Sequence, residues 1–304
     1  MMTSKLTIAP ILFHWDAETR WDFYNRIAQA PVDEVYIGEV ICSKRAPFVE
    51  KHYDEMARIL TGAGKAVVFS TLAEVMLKRE RKMIAGFCAL EEYELEINDS
   101  SALWYLEAKA YRVGSLMNVY NEDTMAYLAA RGATHFCLPP ELPANAVAIL
   151  ADKARQLGVA VEVQVFGRVS LALSARCYHA RAHGRIKDNC QFVCEQDPDG
   201  MPLNTLDNKN FLSINGIQTL SHNYLNLIGE LGEMQRMGVT HFRLSPHTQD
   251  MVAVSKLFRA TLDGDISAAE AGEKLDAMSF PAPFSNGFWH GRPGHQLKRK
   301  GGLA

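Results

Sequence analysis

Along this chain, short apolar runs alternate with stretches whose apolar residues recur every three to four positions, a pattern of buried strands followed by amphipathic helices. TIAPILF predicts a first strand and DAETRWDFYNRIAQA a helix capped by Asp16; VDEVYIGEV returns to a strand and FVEKHYDEMARILTGAG to a helix ended by glycine. The unit repeats as KAVVFST with LAEVMLKRERKMIAGFCAL, YELEIN with SALWYLEAKAYRVG, SLMNVY with EDTMAYLAARG, and THFCLP with NAVAILADKARQLG. VAVEVQVFG and VTHFRLS are the last clear strands, the second followed by a helix at MVAVSKLFRATLDG. Apolar strands joined by helices pair in parallel with right-handed crossovers, and about eight such cycles predict a closed, TIM-barrel-like (β/α) barrel of the α/β class. No GxGxxG or P-loop pattern supports an open doubly wound sheet instead.

Between Phe166 and Asn223 the alternation breaks, at a DPDG turn near Asp199 and a hairpin-like FLSINGIQTLS around Asn215 and Gly216. The expected organisation is one barrel domain over residues 1–304, an inserted loop and hairpin region at 167–223, and a glycine-rich, basic tail at 285–304 that frays at its end. A barrel accommodates 304 residues as one domain. The formal charge of -3 provides no general attraction to nucleic acid or to an anionic membrane. No apolar run approaches the roughly 20 residues that span a bilayer, and the first apolar stretch lacks the flanks of a signal peptide. With only six cysteines, the expected compartment is reducing and the expected location cytoplasmic.

Four of those cysteines, Cys42, Cys177, Cys190 and Cys194, lie in polar, loop-like sequence, where a merely structural thiol is out of place. The i, i+4 spacing of Cys190 and Cys194 would put both sulfurs on one face of a helical turn, and Cys177 and Cys42 would complete a four-thiolate site. A single close pair fits an iron-sulfur centre better than zinc, whose four-cysteine sites are usually built from two short knuckles; zinc and four unrelated free thiols remain the alternatives. Catalytic loops of barrels follow the C-terminal ends of strands, and both halves of the proposed site fall on that rim. Cys88 and Cys137 read as buried small residues. Asn215, Gln218, Arg243, Ser245 and His247 occupy positions where a barrel binds substrate, whereas His179, His183, His222 and His241 carry no metal-binding signature.

GEVICSKR at Gly38 to Arg45, SARCYHAR at Ser174 to Arg181, the C-x3-C pair, NGIQTLS at Asn215 to Ser221 and RLSP at Arg243 to Pro246 resemble the collagenase-like peptidase family of unknown catalytic type, over most of the chain. The resemblance implies a 4Fe-4S cluster on Cys42, Cys177, Cys190 and Cys194, flanked by the cations Lys44, Arg45, Arg176, Arg181, Arg185 and Lys187. It further implies a component of an oxygen-independent hydroxylase in ubiquinone biosynthesis. The implied partners are a homologous, UbiU-like subunit in a heterodimer, a UbiT-like lipid-carrier protein, and a polyprenylated aromatic ubiquinone precursor as substrate. A peptidase, a non-catalytic cluster-bearing scaffold or oxygen sensor, and an RNA-modifying enzyme are the other readings. No GxSxG elbow supports proteolysis.

Overall fold

The computed structural model describes residues 4–107 and 109–299, and the backbone of 302–303. Strands β1 (Lys5–Ile8), β2 (Glu34–Ile37), β3 (Ala66–Ser70), β4 (Glu94–Ile97), β5 (Tyr111–Val113), β6 (Ala133–Leu138) and β7 (Ala160–Leu173) pair in parallel in chain order. Strand β11 (His241–Leu244) then pairs in parallel with both β7 and β1, closing an eight-stranded barrel. Helices pack outside it, among them Ala17–Ala28, whose N-terminus Asp16 caps by accepting from the Thr19 amide at 2.8 Å.

Two expectations need correction. SALWYLEAKAYRVG is not one helix: it holds a helical turn ending at Leu106, Glu107 at φ +51, and then β5. SLMNVY, read as the strand, is a 3-10 turn at Ser115–Met117. Gly114 follows the strand, where a Cβ would lie 2.0 Å from the Asn98 side-chain oxygen.

Strand β7 is far longer than its neighbours because it leaves the barrel without ending. Gly167 sits at φ +106 where a Cβ would lie 2.6 Å from that of Ser245, so only glycine lets the strand turn over the closing seam. Beyond it, β7 pairs antiparallel with β10 (Gln218–Asn226), followed in the sheet by β9 (Asn210–Asn215) and β8 (Met201–Asn204). The expected insertion at 167–223 is thus a sheet extension grown from a barrel strand. The tail returns to the body: β12 (Phe284–Ser285) pairs with β10, Trp289 is buried, and Asn286 donates to Glu230 at 3.2 Å. The fraying expected of the last residues falls on positions 300, 301 and 304, outside the described residues.

Period-two alternation sets the two faces of the barrel strands. Leu6, Ile8, Val35, Ile37, Phe136 and Phe242 join the apolar core, and the residues between them are polar. Glu34, Tyr36, Glu96, Arg112, His135, Glu162 and Arg243 are all buried and joined to one another. Arg112 Nη1 donates to Glu34 at 2.5 Å and to Tyr36 at 2.7 Å; Arg243 Nη2 donates to Glu96 and Glu162, both at 2.5 Å; His135 meets Glu162 at 3.0 Å. Burial alone would raise the Glu34 and Glu162 carboxyls, but His241 and Arg112 around the first, and Arg243 and His135 around the second, hold both below the ordinary range.

Candidate metal centre at the barrel mouth

The chain leaves β2 through Gly38, at φ +147, where a Cβ would lie 2.2 Å from the Ser70 carbonyl oxygen. Glu39 then folds its buried carboxylate back to accept from the Ile41 and Cys42 amides, each at 2.9 Å, which fixes the loop at Cys42. Ser43 donates to Glu80 at 2.7 Å and ties the same loop to the helix Lys78–Cys88.

The second segment comes off the end of β7. Cys177 caps the short helix Tyr178–Ala182, its sulfur accepting from the Ala180 amide at 3.4 Å. The close pair does not sit on a helical turn as the spacing predicted. Gln191 and Phe192 are both left-handed, at φ +49 and +53, and a 3-10 turn begins only at Val193. Consecutive left-handed residues other than glycine cost on the order of 1–3 kcal/mol each and concentrate at functional sites. The β9–β10 turn supports this segment, its Gly216 and Ile217 carbonyls accepting from the His179 amide at 3.4 Å and the Ser174 amide at 2.9 Å.

Cys42, Cys177, Cys190 and Cys194 line one small pocket of about 20 Å³, walled also by Lys44, Arg45, His179, Phe192 and Gly216. None is in a disulfide. Burial pushes the Cys42, Cys177 and Cys194 thiols up, and the Arg45 charge opposes this at each. Among the described residues, no group of three or more His, Cys, Asp or Glu side chains is arranged to hold a metal ion. Cys137 is buried against Arg243 and Glu162 inside the barrel, and Cys88 is buried under its helix with its sulfur 3.9 Å from the Ala102 carbonyl oxygen; neither lines the pocket.

Arg45 distinguishes this pocket from an ordinary cluster of thiols. Its side chain is fully buried, donating to the Leu12 carbonyl and to Asn215 Oδ1, both at 2.9 Å. Gly216 makes room for it, since a Cβ there would lie 2.8 Å from Arg45 Nη2. Asn215 is itself held by Leu12 and Gln218, so these two residues of the NGIQT turn position an arginine. Among the described residues no carboxylate lies within ion-pair distance of Arg45, although the buried Glu39 and the Cys194 and Cys42 sulfurs act on its charge; its Nε finds no partner, nor does Nδ1 of His179, whose Nε2 meets Asp197 at 2.8 Å. Of the other expected cations, Lys44 and Lys187 also line the pocket but pair with Asp188 at 3.5 Å and Glu74 at 3.0 Å, Arg185 donates to the Cys190 carbonyl at 3.2 Å, and Arg176 and Arg181 are exposed.

The sequence profile described as Peptidase family U32 matches residues 19–299. The chain belongs to this family. Among solved structures, a spore coat polysaccharide biosynthesis protein from Bacillus subtilis is similar at 8% identity and a TM-score of 0.38, covering 92% of this chain and 71% of that one. A putative dihydrodipicolinate synthase family protein from Coccidioides immitis gives 9% and 0.38, covering 90% and 78%. Phospho-2-dehydro-3-deoxyheptonate aldolase from Thermotoga maritima gives 9% and 0.36, covering 93% and 71%. Likeness at this level has no functional meaning.

The family's title raises the question of a hydrolytic site, and His247 with Asp199 is the arrangement closest to one. His247 Nδ1 meets Asp199 at 3.3 Å, but its Nε2 accepts the Arg168 amide at 3.0 Å, and burial keeps the ring neutral. No lone pair remains to activate a nucleophile. Arg243, expected at the substrate face, points into the barrel interior. Sequence reasoning missed the structural role of Asn215 and Gln218, the singular burial of Arg45, and the charged barrel interior.

Proposed function

We propose that this member of family U32 is a UbiV-like iron-sulfur subunit, acting with a homologous UbiU-like partner in the oxygen-independent hydroxylation of a ubiquinone precursor. The observation that supports it most is the fully buried Arg45 beside four cysteines. Glu39 acts on its charge from beyond ion-pair distance, and Cys42 and Cys194, as thiolates of an iron-sulfur centre, would add the close negative charge that a buried cation calls for. Cys42, Cys177, Cys190 and Cys194 would hold a 4Fe-4S cluster, and Arg45 Nε with His179 Nδ1 are free to hydrogen-bond its sulfurs. When bound, such a group supplies one-electron chemistry. The chain's own part is to hold four thiolates, exclude water through Phe192 and Val193, and keep a fixed positive charge at the pocket wall. Binding also requires the raised thiols to lose their protons.

Among the described residues no helix is long and apolar enough to cross a membrane. We therefore assign the supply of a polyprenylated substrate to a UbiT-like lipid carrier, in the cytoplasm. Anaerobic purification with iron and sulfide analysis tests the cluster. Alanine at any of the four positions abolishes the visible absorption, whereas alanine at Cys88 or Cys137 leaves it intact. Hydroxylation by the heterodimer that survives loss of all four cysteines would sink the catalytic reading.

A further inference from the structure

A cavity of about 880 Å³ lies away from the cysteines, on the outer face of the barrel between the helices Tyr53–Gly62 and Lys78–Cys88. That is within the range of small-molecule sites, roughly 300–1,000 Å³. Its floor is aromatic. Phe69 of β3 meets the rings of Tyr53, Phe87 and Tyr93 at centroid distances of 5.7, 5.9 and 5.1 Å. The groove follows an 11-residue helix, about 16 Å of length.

Gly86 lies in the last turn of that helix and lines the groove. Its φ is not left-handed, and a Cβ built there would meet nothing within 4 Å. Neither backbone conformation nor close packing accounts for it, although glycine is a poorer helix former than alanine. What it does is keep the wall bare where a side chain would otherwise fill the space.

Charge narrows the occupant. Glu50, Asp54, Glu91 and Glu92 line the groove against Arg79 and Lys82, and among the described residues none of the four carboxylates is ion-paired. Burial raises the Glu50 carboxyl. An anion would meet a negative rim, whereas an uncharged ring gains the aromatic floor. At one end Arg79 donates to Ser43 Oγ at 3.3 Å, next in sequence to Cys42, so the groove runs up to the loop of the cysteine pocket.

We propose that this groove binds an uncharged aromatic ring carrying an apolar chain, its ring toward Arg79 and its chain along the Phe69, Phe87 and Tyr93 floor. That such a molecule is the compound hydroxylated rests on the function proposed above; the groove itself does not depend on the cluster.

Calorimetric titration of the full-length chain with 4-geranylphenol in non-ionic detergent tests it, with 3-geranyl-4-hydroxybenzoate as the anionic counterpart. Saturable one-to-one binding is expected, at least tenfold weaker for the benzoate. Gly86→Phe, which has open space to occupy, and Leu90→Glu at the groove wall should each weaken binding at least tenfold. Gly86→Ala should preserve it while matching or exceeding the thermal stability of the parent chain. Affinity should agree within twofold between iron-loaded and chelator-treated protein, which separates failure of the groove from failure of the cluster. Absence of saturable binding, equal affinity for the benzoate, or wild-type affinity in Gly86→Phe overturns the proposal.

Discussion

Replacing Arg243 by methionine removes the central cation of the barrel while preserving most of its volume. Two bonds of 2.5 Å disappear, to Glu96 and to Glu162, both fully enclosed. Glu96 keeps only Ser70 at 2.8 Å; Glu162 keeps Thr7, Tyr36 and His135. Breaking a buried ion pair from one side costs about 3–5 kcal/mol because a charge is left uncompensated. At roughly 2 °C per kcal/mol for a chain this long, the melting temperature should fall by about 6–10 °C. The pH dependence has a definite sign. In the parent, burial pushes the Glu162 carboxyl up and Arg243 outweighs it, so its pKa is depressed; that stability is present above the unfolded carboxylate value and lost as pH falls through the folded one. Without Arg243 the carboxyl titrates higher, so the deficit should be largest at neutral pH and narrow as acid neutralises Glu162. Urea melts of parent and variant at pH 7.5 and 5 read both quantities. A loss under 1 kcal/mol, or one that grows in acid, refutes the account, and adding Glu162→Gln should recover part of the loss.

Arg45→Met should destabilise iron-free protein by about 1–3 kcal/mol, since two acceptors are orphaned and buried Glu39 loses a neighbouring cation, and should prevent stable iron and sulfide retention; full retention would argue that Arg45 does not balance an anion. Gly167→Ala should cost more than 1 kcal/mol by thermal melting, because φ +106 and the 2.6 Å approach to Ser245 both disfavour a Cβ. Gly216→Ala, which pushes on Arg45 from 2.8 Å, should lower iron retention without unfolding the barrel, as followed by absorbance and circular dichroism. Asp199→Asn should leave any residual proteolysis unchanged, since His247 has no free nitrogen; a large fall in peptide cleavage would restore the hydrolytic reading.

The barrel was legible because its strand and helix periods alternate so regularly. The fifth unit slipped because LWYLEAKA has helical spacing and propensity, and tertiary pairing with β4 and β6 took Tyr111–Val113 away from it. The polar interior was also written in the sequence, as EVYI, ELEI, YRV and HFRL, but period-two alternation ordinarily marks a solvent-facing side, and closure of the sheet turns that side inward. The gathering of the four cysteines on the strand-end rim followed from topology. The turn between Cys190 and Cys194 did not, since two left-handed residues have no local glycine to announce them. Nor could sequence single out Arg45 from five neighbouring cations, because its burial depends on Asn215 and Gly216, far along the chain.

The closing seam at β11 has a consequence for how the molecule is made. Cys42 is translated early and Cys190 and Cys194 much later, yet the rim that brings their loops together is completed only when His241–Leu244 zips onto both β1 and β7. A nascent chain halted before that point has all four thiols and no shared pocket. Any maturation machinery that loads the proposed cluster would then have to act on a ring-closed polypeptide, and lesions in the closing strand should show up as loss of bound iron before they show up as aggregation.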